Sequence, residues 1–336
     1  MLARVAESMY WIARDVERAD TYARLLEVAH GMTLEHGVSM VEGRQTVWEP
    51  LVDITGDLDQ FLVNHRRADE RSVVWFLSLN PANANSVVSC VGRARRNANG
   101  VRDLLPTELW EALNAIYLDL RAWPPGRIST EGVYPFCRMV RRSSHLIQGM
   151  TDQTMRQDAP WHFLRIGRFL ERAEKTARLL EAKFHFTRPA DPLSIAPVDL
   201  YYWQSLLRSA GADEAYLRME LGITSPQEIA RFLIVDEYFP RSVNYCLGQV
   251  VDSLDALMAA DVMSSQATAL VRARAARGEI MRDAEPLRVD VVGSLMDRVQ
   301  QRCNGIHEAL DASCFALSSH GEGGTQYAQA ARQAQN

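Results

Sequence analysis

Residues Ile12–Glu27 read IARDVERADTYARLLE, and residues Ile166–Glu181 read IGRFLERAEKTARLLE. Both stretches space apolar residues three and four positions apart, which is typical of one face of a long helix that packs into a bundle. The chain therefore carries the same Glu-Arg helix twice. The residues that recur at an offset of 154 include Arg14, Glu17, Arg18, Ala19, Ala23, Arg24, Leu25, Leu26 and Glu27.

Two further blocks recur in the same order. Trp48–Gly56 matches Trp203–Gly211 at an offset of 155, and Ser86–Gly92 matches Ser242–Gly248 at an offset of 156. Three blocks in one order, at a nearly constant offset, predict a tandem duplication. The domain boundaries that we predict are 1–125 for a first repeat, 126–154 for a connecting helical segment, 155–317 for a second repeat and 318–336 for a disordered tail.

Strand signals are nearly absent from the sequence, so we predict an all-α fold. Its expected architecture is a tandemly duplicated antiparallel helical bundle whose two halves pack into one body. The predicted tail is rich in Gly, Gln and Ala, a composition that does not support a packed core. Besides the two Glu-Arg helices, we predict helices around 44–65, 69–79, 86–104, 107–122, 131–153, 199–218, 225–235, 240–276 and 285–317.

The overall charge and the cysteines indicate a cytoplasmic protein. The chain has 37 basic and 42 acidic residues, a net charge of -5 that gives no reason to expect nucleic acid as a partner. No run approaches the roughly 18 consecutive apolar residues that a membrane-spanning helix needs. The five cysteines form no Cys-x-x-Cys pair, which is simplest to explain by a reduced compartment.

The Glu-Arg helix has two interpretations. In the first, its arginines hold an anionic substrate while Glu17 or Glu171 binds an amine or transfers a proton. In the second, the same charges form a buried ion-pair network that fixes how the helices pack. The duplication favours the second, because architecture must be kept in both copies whereas one active site would suffice. The candidate arginines are Arg14, Arg18 and Arg24 in the first copy and Arg168, Arg172 and Arg178 in the second.

A second polar cluster follows the recurring Ser86–Gly92 block, in the segment 93–102. It would either bind phosphate or carboxylate or form a solvated helix face, and the latter is the commoner outcome for such clusters. The matching segment after Gly248 lacks these arginines, which suggests that the two halves differ in function. The candidate residues are Arg93, Arg96, Asn97 and Arg102, with Arg95 and Asn99 beside them.

Recognisable catalytic motifs are missing from the sequence. There is no His-Glu-x-x-His motif, no pair of Glu-x-x-His motifs, no Walker loop and no Gly-x-Ser-x-Gly elbow. Cys90 and Cys246 lie at equivalent apolar positions, which indicates core packing. We therefore expect no metal and no cofactor, and a self-contained nucleotide-using enzyme is disfavoured.

Two long stretches resemble the bacterial alpha-E family, an all-helical domain named for its Glu-Arg signature. They are LARVAESMYWIARDVERADTYARLLEV near the start and HLIQGMTDQTMRQDAPWHFLRIGRFLERAEKTARLLEA before 183. The resemblance continues to about residue 317. It implies that the family signature falls on Glu17-Arg18 and Glu171-Arg172. It also points to Gln148, Gly149 and Asp152. The segment 95–99 departs from the family, because it reads Arg-Arg-Asn-Ala-Asn where Arg-Glu-Asn-Ala-Arg is expected.

The family resemblance also implies partners. Its members are encoded beside, or fused to, a circularly permuted ATP-grasp ligase, often with a transglutaminase-like protease and a proteasome-like hydrolase. We therefore expect a non-catalytic accessory subunit of an amide- or peptide-forming system, which binds the ligase or its substrate. One alternative is an enzyme that performs acyl or aminoacyl transfer in a helix-lined Arg/Glu cleft. Another is a purely structural, oligomerising bundle.

Overall fold

The fold is that of a computed structural model, which describes residues 3–36, 40–41, 44–45, 47–124, 126–128, 132–186, 197–219, 225–262 and 267–315. Within these ranges the chain forms fourteen α-helices, so the predicted all-α fold class is confirmed. The described strands are two residues each, in the antiparallel pair Met40–Val41 and Arg44–Gln45. The predicted disordered tail, 318–336, lies outside the described residues.

The chain divides into two compact units. The first contains the described residues of Met1–Arg168 and Asp311–Asn336, and the second is Phe169–Leu310. The helices that begin in the first unit are α1 (Ala3–His36), α2 (Trp48–Thr55), α3 (Leu58–Asn64), α4 (Glu70–Ser78), α5 (Val87–Gly100), α6 (Thr107–Ala122), α7 (Val133–Thr154) and α8 (Ala159–Phe186).

Helix α1 is the central element of the first unit. Its 34 residues contain no proline, and its apolar stripe is buried along its length, as Met9, Ile12 and Leu26 show. Helices α5 and α7 run antiparallel to it: Arg141 of α7 pairs with Glu27, and Gln148, further along α7, contacts α1 nearer its start. The Glu-Arg helix predicted from the sequence is therefore the one around which this unit packs.

The first turns of α8 cross α1 at very short range. A Cβ atom added to Gly167 would lie 2.2 Å from the backbone carbonyl oxygen of Tyr10, closer than any side chain can sit. Phe315, in a π-helical turn at Asp311–Phe315, packs its ring against Tyr10 and Phe163 with centroids 5.4 and 6.2 Å apart. Glycine is thus required at the crossing, which brings the backbones of α1 and α8 into direct contact.

In the second unit, the later helices form an antiparallel stack. Ion pairs join the exposed sides of two of them, with Glu279 2.8 Å from Arg302 and Asp283 2.8 Å from Arg298. Such exposed pairs contribute little to stability, so the buried apolar faces hold these helices together. The helices that follow α8 are α9 (Pro197–Ala210), α10 (Asp213–Leu217), α11 (Pro226–Val235), α12 (Val243–Ala259), α13 (Ala267–Asp283) and α14 (Val292–Leu310).

Three of the predicted helices are each divided in two, which corrects the segments 44–65, 199–218 and 240–276. The first two breaks fall at Gly56 and Gly211, whose φ angles of 79° and 61° lie in the left-handed region that favours glycine. The third break falls at Asp261, with a φ of 54°. Gly56 and Gly211 lie at matching positions of the two predicted repeats.

None of the described helices combines the length and the apolar character that a bilayer crossing requires.

We predict that Gly167→Ala destabilises the protein, because the new methyl group would meet the Tyr10 carbonyl and force α1 and α8 apart. Overpacking of this kind costs about 1–3 kcal/mol of unfolding free energy. The matched control is Gly31→Ala on α1, where a Cβ would meet no atom within 4 Å. There alanine should be neutral or stabilising by about 0.5–1 kcal/mol. Urea unfolding followed by circular dichroism measures both, and equal midpoints for the two variants would contradict the close crossing.

Candidate functional site

The Glu-Arg helix α1 buries an unusual number of charges. Arg14, Asp15, Glu17, Asp20 and Arg24 are each at least nine-tenths buried. A buried charge is costly unless a partner compensates it, so each of these side chains needs a partner on α1 itself or on a neighbouring helix. The burial that the sequence predicted for part of this face is therefore observed, and it is more complete than expected.

Arg14 makes its contacts with aromatic residues. Its guanidinium donates to the Tyr10 hydroxyl at 3.1 Å and lies 5.7 and 5.5 Å from the ring centroids of Tyr10 and Trp11. Stacking over an aromatic face stabilises a cation that has lost water. This candidate anion-binding residue is thus 98 % buried within a cation–π cluster.

Asp15 and Arg93 form a bidentate ion pair between α1 and α5. The two nitrogen–oxygen distances are 2.6 and 3.3 Å, and Arg93 also donates to the Ala84 carbonyl. Burial by itself lowers the pKa of the Arg93 guanidinium, but the Asp15 carboxylate raises it above its ordinary value. Arg93, a candidate for binding an external anion, is instead neutralised by an internal one.

The same pair explains part of the difference between the two repeats. At the positions equivalent to Asp15 and Arg93, the second repeat has Phe169 and Gln249. Both charges are absent together, and the Phe169 ring instead contacts Tyr245 with centroids 5.8 Å apart. The presence of Arg93 in one repeat therefore follows from Asp15, and it needs no functional explanation.

The signature arginines each reach the segment that precedes a later helix of their own unit. Arg18 donates to the Asn85 side chain at 2.7 Å, and Asn85 donates to Asp57 at 2.7 Å. Arg172 donates to the Pro240 carbonyl at 3.2 Å. Asn85 precedes α5 and Pro240 precedes α12, so both arginines position the start of an equivalent helix.

Helix α7 compensates the remaining charges of α1. The Gln148 amide donates to the Glu17 carboxylate at 2.9 Å. Arg24 donates to Asp20 at 2.8 Å and lies 2.8 Å from His145 Nε2. The resemblance to the alpha-E family pointed to Gln148, and this contact gives it a structural role beside the signature glutamate.

The second signature is buried in its own cluster of charges. Glu171 is fully buried, and Lys175 lies 3.6 Å from both Glu171 and Glu174. Arg178 donates to Glu174 at 3.4 Å. The candidate residues Glu171 and Arg178 are therefore engaged along α8.

A cleft of about 420 Å³, its open mouth included, lies in the first unit between α1, α6, α7 and the start of α8. Arg168 and Asp152 form a bidentate pair there, at 3.0 and 3.2 Å. The Arg165 guanidinium stacks over Trp161 at 5.1 Å. The lining residues are Ile12, Ala13, Val16, Leu109, Ile147, Gln148, Thr151, Asp152, Trp161, Leu164, Arg165 and Arg168.

The cleft brings together residues that the sequence marked separately. Arg168 was a candidate arginine, and Gln148 and Asp152 were implied by the family resemblance. Sequence reasoning missed Trp161 and Arg165, although both lie in the quoted stretch that contains the second signature. Whether Trp161 and Arg165 line the cleft depends on the residue at which α8 begins. The helical period of the sequence does not specify that residue.

The polar cluster of 93–102 does not form one site. Arg93 is inside the fold, Arg96 is exposed and Asn97 is half-buried. Arg95 and Arg102 instead lie over aromatic rings of α6, at 4.5 Å from Tyr117 and 5.1 Å from Trp110. Ser86 caps the N-terminus of α5, since its hydroxyl accepts from the Ser89 amide.

The cysteines show no sign of redox or metal chemistry. All five lie in the described part of the chain, and none forms a disulfide. Cys90 and Cys246 are completely buried, as their apolar surroundings predicted. Over the described ranges, no three His, Cys, Asp or Glu side chains are grouped closely enough to hold a metal ion.

We predict that Asp15→Asn lowers the unfolding free energy by about 3 kcal/mol, because it leaves the Arg93 charge without its partner. Adding Arg93→Gln should recover roughly 1–3 kcal/mol of the summed single losses, as expected for a coupled pair. The control is Glu279→Gln, whose exposed pair with Arg302 should cost less than about 1 kcal/mol. A double-mutant cycle by urea unfolding measures the coupling, and strictly additive losses would contradict the pair.

Residues 1–315 match the Alpha-E family, described as a predicted alpha-helical domain with a conserved ER motif. Uncharacterised proteins of Mycobacterium tuberculosis and Mycobacterium bovis are 26% identical over 259 residues, which is 73% of this chain and 28% of each relative. The chain thus spans about a quarter of the length of these relatives, and no solved structure matches it. The family match covers nearly the whole chain, and this protein belongs to the Alpha-E family.

Proposed function

We propose that this protein is a non-catalytic accessory subunit of an ATP-grasp amide- or peptide-ligase system, and that it binds the ligase or the ligase's substrate. The observation that carries the proposal is that the charged side chains of the signature contact other residues of the fold. Glu17 is completely buried and accepts a hydrogen bond from Gln148, and Arg18 positions the segment before α5. A catalytic base must come within hydrogen-bond reach of its substrate, and a buried carboxylate with an internal donor is poorly placed for that.

The length of the mycobacterial relatives also supports an accessory role. The segment that matches this chain is 28% of each mycobacterial protein, so an Alpha-E segment there is one part of a longer polypeptide. A module that is joined to other segments in its relatives is a reasonable partner for a separate protein here. The family resemblance supplies the class of that partner, an ATP-grasp ligase of circularly permuted topology.

The chemistry of such a ligase defines what an accessory subunit would do. An ATP-grasp enzyme activates a carboxylate as an acyl phosphate and joins it to an amine. Arginine binds carboxylate and phosphate through two parallel hydrogen bonds, and this chain has exposed arginines as well as the Arg168–Asp152 pair at the cleft. Positioning the ligase or its acidic substrate therefore lies within the chemistry of this surface.

We predict that the protein forms a stoichiometric complex with the circularly permuted ATP-grasp ligase encoded in the same genome. The two chains should co-elute on size exclusion after co-expression, with a dissociation constant in the micromolar range or below. An ATP-grasp ligase of ordinary topology from the same cell is the control and should elute separately. Absence of association at micromolar concentrations of both proteins would reject the proposal.

A second candidate function is acyl or aminoacyl transfer by the protein itself. One observation favours it: Gln148 both lines the cleft and donates to the Glu17 carboxylate, so the buried signature is one side chain away from the cleft. On this hypothesis, Glu17→Gln or Glu171→Gln abolishes product formation in the reconstituted system while the melting temperature stays nearly the same. On the accessory hypothesis, these variants change activity only as far as they change stability or ligase binding.

A further inference from the structure

A group of arginines and aromatic rings on α5, α6 and the short segment between them has no part in the fold's internal charge network. Arg95 lies 4.5 Å from the Tyr117 ring centroid and 5.7 Å from that of Trp110. Arg102 lies 5.1 Å from Trp110, and Arg121 lies 5.9 Å from Tyr117. These five residues alternate cation and ring along one surface, and we name them the arginine–aromatic array.

The guanidinium groups of the array are held in place but keep most of their hydrogen-bond donors unused. The Arg95 Nε donates to Asn114 at 2.7 Å, which fixes the plane of the group and leaves its terminal amino groups. In the described part of the chain, those amino groups bond to no acceptor, and neither do Arg102 and Arg121. Asp103 and Glu111 are close in sequence, yet among the described residues no carboxylate forms an ion pair with the array.

Donors of this kind select negatively charged oxygen atoms. A guanidinium that is stacked on a ring is already oriented, so less rotational freedom is lost when it binds a carboxylate or a phosphate. The two rings also restrict where the cations lie. The array is therefore prepared to bind an anion with spaced charges, whereas Arg93 and Arg24 are already neutralised by Asp15 and Asp20.

The array is present in one repeat only. At the positions equivalent to Arg95 and Arg102, the second repeat has Val251 and Met258. The Asp15–Arg93 pair disappears from the second repeat as a matched pair, which is what a packing role predicts. Trp110 and Tyr117 have no counterpart there either, because residues 259–291 contain no Phe, Trp or Tyr, so the array is lost as a complete set. It differs from the Asp15–Arg93 pair in that no carboxylate of the described structure forms an ion pair with its guanidinium groups.

The surroundings favour a protein over a nucleic acid as the partner. Exposed Leu104 and Leu118 lie in the same segments, and Arg, Trp and Tyr are the residues that dominate binding energy at protein interfaces. Alternating arginine and aromatic side chains are also used to bind single-stranded nucleic acid, so the exposed leucines are what favour an acidic segment that also carries apolar side chains.

We propose that the arginine–aromatic array docks an acidic segment of a protein partner, whose carboxylates bind Arg95, Arg102 and Arg121 while its apolar side chains cover Leu104 and Leu118. The proposal rests on the proposed function only in naming the ligase as the expected owner of that segment. The binding that it predicts does not depend on the ligase being the partner, because any peptide with acidic and apolar side chains should bind the array.

The test uses a fluorescein-labelled peptide of alternating Asp, Glu and Leu residues, titrated with the full chain by fluorescence polarisation. Arg102→Glu with Arg121→Glu should weaken binding by about tenfold or more, and added salt should weaken wild-type binding. The matched control is Arg66→Glu with Arg67→Glu, two exposed arginines of the same unit, which change the net charge equally and should leave binding within about twofold.

Several outcomes would overturn the proposal. They are equal losses in both charge-reversal variants, equal binding of a peptide with Asn and Gln in place of Asp and Glu, and tighter binding of oligothymidine than of the acidic peptide. If the glutamate variant does not fold, Arg102→Ala with Arg121→Ala replaces it, and an unchanged affinity there is equally contradictory.

The ligase titration separates this proposal from the proposed function. Where the wild-type protein binds the ligase, Arg102→Glu with Arg121→Glu should weaken the complex by about tenfold, and an unchanged complex contradicts the array as its docking surface. Where the ligase does not bind the wild-type protein at all, the proposed function fails. The peptide titration then tests by itself whether the array binds an acidic segment.

Discussion

The buried charges of α1 are the constraint on which the first unit depends. Asp15, Glu17 and Asp20 cannot remain ionised inside the protein unless donors surround them. Arg24 of α1 itself supplies the donor to Asp20, and the other two donors come from neighbouring helices, Arg93 of α5 for Asp15 and Gln148 of α7 for Glu17. Each of the latter two contacts fixes the position of one neighbouring helix along α1, so charges that add little net stability determine how the helices align.

The second repeat satisfies similar constraints with different chemistry. Phe169 and Gln249 occupy the positions of Asp15 and Arg93, and an aromatic contact with Tyr245 stands where the first repeat has an ion pair. The signature arginines, by contrast, are kept in comparable roles, because Arg18 contacts the segment before α5 and Arg172 contacts the segment before α12. The feature common to the two predicted repeats is therefore this contact of the signature arginine.

The helical period predicted most of the helices, because apolar residues at spacings of three and four mark a buried face without reference to the rest of the chain. It did not predict the breaks at Gly56 and Gly211, which depend on left-handed backbone geometry. The contacts of the candidate site residues were harder to predict from the sequence. Arg93 and Arg95 are two positions apart and looked alike, yet one pairs with Asp15, 78 residues away in sequence, and the other stacks on α6. A single sequence does not specify partners across such distances.

The division between shared and unshared features also indicates where function resides. A feature required for folding should appear in both repeats or be lost together with its partner, as the Asp15–Arg93 pair is. The array is also lost as a set, because Val251 and Met258 replace Arg95 and Arg102 and residues 259–291 contain no Phe, Trp or Tyr. It differs from the Asp15–Arg93 pair in another respect, since no carboxylate in the described part of the chain forms an ion pair with it. Trp110 and Tyr117 orient these cations, and Arg95 donates through Nε to Asn114, but the terminal amino groups have no acceptor in the described structure. These amino groups remain available to an anion that a partner supplies, whereas the charges of the signature contact other residues inside the fold. Recognition of a partner is therefore better sought on this surface than at the signature.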